Sequence, residues 1–444
     1  MIQLAPLIRG VAGNRIPGQL VVQITDRCNA RCPQCGMRKT ESFSRSTLDT
    51  DLIKRTIDAA ASQGVTAISF TGGEPLMEFR RLADLMRYAG KAGIPLIRTG
   101  TNGYMFAGSE KTGFEDRIKK MADQLADTSL RNFWISLDSG VDEIHEQMRG
   151  FPGVVAGIEK ALPIFHRAGI YPAANLGINR NVGGDATAAL HRSDFNSDDR
   201  YMKVFYRRYA AAFKNFYRRA VDLGFTIANT CYPMSIDTES HSEDLSAVYA
   251  ATAEEDVVRF AADEKRMLFS ALASAIRSFR SRLRIFSPVA SIETLIRQYG
   301  GSENGDLSYG CRGGVDFLFV SAVDGHTYPC GYRGHDDFGR LWEMDIRDLR
   351  PLPEKDACRQ CDWECFRDPS ELFGPVLELF SNPLRLIRRT MDHPGAMATW
   401  IEDIRYYAAC DLFDGRRPPN FRKLARFSQP TRTVSPHAVP SMQT

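Results

Sequence analysis

The chain has 444 residues, of which 43% are hydrophobic and 25% charged, with a net charge of +3. That is globular composition with ample material for a core, longer than one compact core needs unless the core is an α/β barrel. The charge is too mild to imply nucleic acid or acidic lipid as an obligatory partner, and no stretch approaches the ~20 apolar residues that span a bilayer.

The first residues, MIQLAPLIRGVAGNR, lack the ordered regions of a secretory signal, so a cytoplasmic protein is expected. After an N-terminal segment (1–17), QLVVQIT (19–25) reads as a short β-branched strand leading into a cysteine-rich loop. A helix follows, capped by Asp49 or Thr50, striped with Leu52, Ile53, Ile57, Ala60 and Ala61, and ended by Gly64. TAISFTG is the next strand, and Phe79, Leu82, Leu85, Met86 and Ala89 mark the next helix. PLIRTGT, NFWISLD, AANLGIN and FTIANTC supply four more strands, with helices around 114–126, 153–167 and 201–222. Six βα units in a row imply a parallel α/β sheet with right-handed crossovers, open or closed into a barrel. The strands alternate little, which predicts burial on both faces.

The polar segment NVGGDATAALHRSDFNSDDR after the fifth strand reads as a lid or a disordered loop. FYRRYAAAFKNFYRR (205–219) reads as an amphipathic outer helix with Phe205, Tyr209, Phe213, Phe216 and Ala220 inward, not as a nucleic-acid patch. Residues 242–284 read as a helical insertion, completing a first domain over 18–300. DFLFVSAVDGHTYPC carries a hairpin signal at Asp324-Gly325 and opens a cysteine-bearing second domain over 305–368. A helical segment (369–427) follows; its FGPVLELFSNPLRLIRR stretch is interrupted by Gly374-Pro375 and Pro383, and it is expected to dock on the protein itself rather than on a membrane. The tail (428–444) reads as disordered.

Ten cysteines would permit a disulfide framework, but eight fall into two groups, 28/32/35 and 311/330/358/361/365, a clustering that favours metal or redox chemistry. The first group is C-x3-C-x2-C with no further cysteine or histidine close by. A structural zinc site wants four ligands, so three thiolates leave a coordination position open. Thiolate-only ligation is characteristic of iron–sulfur clusters, and the loop follows the first strand, where barrels gather their chemistry.

Cys28, Cys32 and Cys35 resemble the signature of the radical S-adenosylmethionine (SAM) superfamily. The resemblance implies a partial (β/α)6 TIM-like barrel, a [4Fe-4S] cluster on these cysteines, and S-adenosyl-L-methionine on the fourth iron. Reductive cleavage then gives a 5′-deoxyadenosyl radical that abstracts hydrogen from the substrate. Gln34 departs from the pattern, which has an aromatic residue there to meet the adenine. TGGEP (71–75) resembles the motif for the methionine amino group, implying Gly72, Gly73 and Glu74. TGTNG (99–103) and SLDS (136–139) resemble ribose- and methionine-contacting segments, implying Thr101, Asn102, Ser136 and Asp138. His145, Arg149 and Asn179 echo further family positions, and Arg149 and Asn179 join the expected cofactor-binding set. The resemblance covers about residues 18–232.

Cys311, Cys330, Cys358, Cys361 and Cys365 resemble the SPASM and twitch domains that hold auxiliary clusters, implying a single auxiliary [4Fe-4S]. Cys311 and Cys330 are two ligands; which two of Cys358, Cys361 and Cys365 complete the set stays open. A zinc ribbon is the alternative reading of this group. Cys231, at the end of the sixth strand, could return a hydrogen atom to a substrate radical or be a small buried hydrophobe. The expected function is oxidation, cross-linking or epimerisation at an unactivated carbon, leaning towards a ribosomal peptide. The roughly 17 residues before the first strand are few for a peptide-leader-binding domain, which keeps a small-molecule, sugar or lipid substrate as the alternative. A reducing partner such as flavodoxin or ferredoxin is implied. The rival from another class is a non-catalytic metal scaffold or electron carrier.

Overall fold

The computed structural model describes residues 10–11, 13–35, 45–233, 248, 256–301, 308–351, 358 and 361–428. The tail from 429 onward, and the 242–255 part of the expected helical insertion apart from Val248, lie outside the described residues. Among them, nine strands form one sheet in the order β7-β6-β5-β4-β3-β2-β1-β8-β9. The strands are β1 (Gln19–Thr25), β2 (Ala67–Gly72), β3 (Leu96–Thr101), β4 (Leu130–Ser136), β5 (Ala173–Gly177), β6 (Ile227–Cys231), β7 (Arg284–Ile285), β8 (Phe317–Val320) and β9 (Thr327–Tyr328). Every neighbouring pair from β7 to β8 is parallel, and only β8·β9 is antiparallel. This is the α/β partial barrel expected from six successive βα units.

Helices α1 (Thr50–Ser62), α2 (Phe79–Lys91), α3 (Phe114–Ala126), α4 (Asp142–Arg149), α5 (Val154–Arg167) and α6 (Asp198–Leu223) fill the crossovers. The Asp49 carboxylate caps α1, accepting from the amides of Asp51 (2.8 Å) and Leu52 (3.1 Å). In α6 the inward positions Phe205, Tyr209, Phe213, Phe216 and Ala220 are all buried, as their spacing requires. The polar segment before α6 is a run of turns containing two short helical turns, Asp185–Ala188 and Arg192–Asp194, with Thr187 fully buried.

Burial on both strand faces needs a correction in chemistry. Leu20, Val22 and Ile24 of β1 face the helices in the main core, with Ile68, Phe70, Ile97, Phe133 and Ile135. The alternate positions Gln19, Ser69, Thr71, Arg98, Trp134, Asn175, Asn229 and Cys231 line an interior cavity of about 250 Å³. The barrel is open, so its inner face encloses a polar space instead of a packed core. Trp134 fits inside only because position 100 is glycine: a Cβ there would lie 1.8 Å from the indole Nε1. Gly100→Ala is therefore expected to destabilise the protein by about 1–3 kcal/mol through overpacking, read as a lower urea midpoint.

The hairpin at Asp324-Gly325 joins the same sheet, β8 lying parallel to β1 with Gln19 opposite Phe317 and Val22 opposite Val320. Further on, α7 (Ala262–Phe279) packs against α6, α8 (Val289–Gln298) packs against α7, and α9 (Glu364–Ser381) brings Glu364 and Cys365 to the cavity wall. Tyr232 ties β6 to α9, its amide donating to Glu364 Oε2 (3.2 Å) and its hydroxyl to Asp368 (3.1 Å). One expectation for the C-terminal stretch, a break at Pro375, fails. Pro375 sits inside α9, and Pro383 opens α10 (Pro383–Asp392), where a missing N–H costs nothing. Gly374 packs against the Tyr309 ring, Leu377 is buried, and α10 is tied on through Arg389, which pairs with the buried Glu378 (3.5 Å) and lies over the Tyr309 ring (4.4 Å). Leu379 and Phe380 at the end of α9 are exposed, as are Leu384, Ile387 and Met391, the apolar stripe of α10. The last long helix, α11 (Pro394–Ala409), is anchored by the buried Asp403–Arg280 ion pair. No described helix is long and apolar enough to cross a membrane.

Candidate active site

The cysteine loop leaves β1 at Thr25 and is held by the glycines that end β2. The amides of Gly73 and Glu74 donate to the carbonyls of Thr25 (2.8 Å) and Arg27 (2.9 Å). A Cβ at position 72 would lie 2.0 Å from the Thr25 carbonyl oxygen, and one at 73 would lie 2.1 Å from that of Arg27. Gly72 and Gly73 thus allow two backbones to touch, which sets where Cys28 begins.

Glu74 is fully buried and does not face open space. Its carboxylate accepts from the amides of Leu76 (2.9 Å) and Asn102 (2.6 Å), while burial pushes its pKa up to about 7. Asn102, at the end of β3, donates from Nδ2 to Asn29 Oδ1 (2.9 Å) and lies 3.7 Å from Cys28 Sγ. Thr101 Oγ1 accepts from the Gly103 amide (3.1 Å), shaping the same turn. Cys28 is therefore fixed by groups from the ends of β2 and β3.

Cys32 is held from the other side. Arg149 makes a two-pronged ion pair with the fully buried Asp138, at 2.6 and 2.7 Å. Burial opposes charge on Asp138, but the guanidinium beside it and His145 hold its carboxyl well below the usual range. Arg149 also lies in the field of Cys32 and Cys35, whose charge would help keep it protonated. The Asp138 loop is braced in turn. His145 Nδ1 accepts from the Asp138 amide (3.0 Å), and Asn179 Nδ2 donates to the carbonyls of Asp138 (3.1 Å) and Gly177 (2.7 Å). With Asn179 Oδ1 taken by the Asn181 amide (2.8 Å), Asn179 positions Asp138 and has little left for a ligand. Ser136, at the end of β4, is buried beside them.

None of the ten cysteines is in a disulfide. Among the described residues no three His, Cys, Asp or Glu side chains converge on one ion position. Ligands of a four-iron cluster sit on separate irons, so convergence on a point is what a zinc site would need and a cluster site would not. The donor set fits a cluster: one short loop carries three free thiols, with the Arg149 cation facing two of them.

The second cysteine group divides. The Cys330 thiol lies in the field of Cys361, Cys311 and Cys358, and Cys311 and Cys361 sense members of the same set. Cys365 faces elsewhere: it donates to Glu364 Oε1 (3.5 Å) and senses Arg98 and Asp368. With Cys231 and Glu364 it lines the barrel cavity. Cys231 lies 3.5 Å from both side-chain polar atoms of Asn175, and burial pushes its pKa well up, so it stays a thiol. Gln34 also lines this cavity, and both of its buried amide atoms lack a partner.

The sequence reading missed Arg98, Trp134, Asn175, Asn229 and Glu364, which the fold places around that cavity. For the first four the signal was polar or large residues at every second position of buried strands; Glu364, on α9, had no such signal.

Comparison with known proteins agrees with this geometry. Residues 22–183 match the family described as the Radical SAM superfamily. An AdoMet-dependent heme synthase from Methanosarcina barkeri is 24% identical over 364 residues, covering 80% of this chain and 91% of that protein. A GTP 3′,8-cyclase from Vibrio atlanticus is 30% identical over 151 residues, 33% of this chain and 42% of the other. Among solved structures, Streptococcus suis SuiB bound to S-adenosylmethionine is similar over 78% of this chain and 67% of that one, with 15% identity and a TM-score of 0.48. The chain carries a radical SAM superfamily domain over residues 22–183, whose cofactors are S-adenosyl-L-methionine and a [4Fe-4S] cluster.

Proposed function

We propose that this protein is a radical SAM enzyme that modifies a small-molecule substrate at an unactivated carbon, with one auxiliary [4Fe-4S] cluster in its SPASM- or twitch-like C-terminal region. The observation that carries this reading is the convergence of four strand ends on one cysteine loop: β1 bears it, β2 and β3 hold Cys28 through Glu74 and Asn102, and β4 presents Arg149 to Cys32 through Asp138. Cys28, Cys32 and Cys35 are the cluster ligands in this reading. Gly72, Gly73, Thr101, Asn102 and Ser136 border S-adenosylmethionine, while Glu74, Asp138, Arg149 and Asn179 shape and charge its surroundings. The chemistry the cofactors supply when bound is reductive cleavage of the sulfonium and removal of a hydrogen atom from substrate.

The chain's own groups do the rest. The cavity between the inner sheet face and α9 receives the reacting part of the substrate in this reading. Cys231, a thiol at its wall, is the hydrogen donor in this reading where the outcome is epimerisation. Cys311, Cys330, Cys358 and Cys361 are the auxiliary ligands, and Cys365 is left as a cavity residue. A small-molecule substrate is favoured because the relative matched over most of both lengths is named a heme synthase; modification of a ribosomal peptide is the second reading.

Anaerobically purified protein is expected to hold about eight iron and eight sulfide per chain, as two four-iron clusters require. Cys361→Ser should lower this to about four iron, whereas Cys365→Ser should leave it near eight. Zinc in place of iron, or loss of iron in Cys365→Ser, would overturn the assignment.

A further inference from the structure

The cavity holds a cation that no described carboxylate touches, Glu364 acting on it only at longer range. Arg98 projects from the middle of β3 and forms no hydrogen bond and no ion pair with any described residue. Its guanidinium lies over the rings of Phe286 (5.1 Å to the centroid) and Trp134 (5.8 Å). Two aromatic faces thus fix its position while supplying none of the five acceptors its N–H groups can use. A partly buried guanidinium costs free energy unless something pairs with it. Elsewhere in this fold the cost is met: Arg149 has Asp138, and Arg280 has Asp403. The nearest acid of the cavity, Glu364, is already engaged by the Tyr232 amide and the Cys365 thiol.

We propose that Arg98 is a substrate-binding residue that anchors a carboxylate group of the substrate inside the barrel. This deepens the proposed function and rests on it for the identity of the cavity as the substrate site. The anion class follows from the lining. Arg98 is the only basic residue among those described around the cavity, and Glu364 shares the wall. One planar fork matches a monoanionic carboxylate bidentately, whereas a phosphate dianion would leave charge uncompensated. The remaining wall suits the same guest: Ser69, Thr71 and Asn229 are polar, and the unpartnered amide of Gln34 offers both a donor and an acceptor. At about 250 Å³ the space is below the roughly 300–1,000 Å³ of drug-sized pockets, so it takes the carboxylate-bearing end of a larger substrate.

The test uses full-length, anaerobically reconstituted protein and fluorine NMR titration with 3-(4-fluorophenyl)propanoate, its neutral amide and the matching phosphonate. Wild type is expected to bind the acid at least tenfold tighter than the amide and tighter than the phosphonate. Arg98→Gln should bring the acid-to-amide ratio to about one, and Arg98→Lys should restore part of it. Thermal melting of both variants separates a lost anchor from a lost fold, and the lysine variant alone still decides if the glutamine variant fails to fold. Equal binding of acid and amide by wild type, no binding of either, or a ratio that survives in Arg98→Gln overturns the assignment; tighter phosphonate binding overturns the carboxylate class. Release of 5′-deoxyadenosine by wild type is measured separately. Charge-selective binding without that release would sink the radical reading and spare Arg98, and the converse would do the opposite.

Discussion

Cys32→Ala is expected to abolish 5′-deoxyadenosine release from S-adenosylmethionine under dithionite, to at least a thousandfold below wild type. Cys32 is the most buried of the three loop thiols and faces Arg149, Asp138 and Cys28 at once. Removing it leaves two donors on the loop, too few to hold three irons of a cubane. Iron content should fall by about four per chain while the auxiliary cluster stays. Release that persists above a tenth of the wild-type rate would show that the loop is not the cluster site, whatever the family match.

The second large effect concerns stability. Asp138→Asn is expected to cost about 3–5 kcal/mol, the loss seen when one member of a buried ion pair is removed and the other charge is left uncompensated. Asp138 is wholly buried and the Arg149 side chain is 14% exposed, so solvent screens the pair little. The asparagine keeps the shape and can still accept from Arg149, but it brings no charge. Urea unfolding of the variant beside wild type measures the loss. A change below about 1 kcal/mol would mean that the pair behaves as a surface salt bridge, and the bracing of Cys32 through β4 would then need another cause.

Most of the barrel was legible because its strands and helices are set by local patterns. QLVVQIT is β1 end to end, and 114–126 is α3. The cysteine loop was legible for the same reason, since its three thiols are neighbours in sequence. What escaped depends on contacts between distant segments. Nothing near Phe317 announces that β8 pairs with β1, about 300 residues away. Glu364 enters the site only because α9 folds back over β6. Nothing local to PLIRTGT announces that Arg98 lines a cavity, because the openness of the barrel is a property of the whole sheet. Pro375 misled for the opposite reason: a local rule about helix breaking gave way to the packing of Gly374 on Tyr309 and of Leu377 in the core.

The pairing of β8 with β1 has a consequence for electrons. The strand that leads into Cys28 and the strand whose hairpin leads to Cys330 are adjacent rungs of a single ladder, registered residue by residue from Gln19 to Val22. In the proposed two-cluster reading, redox centres suspended from such a ladder keep a separation set by backbone geometry. In that reading charge passes from one to the other without a docking step.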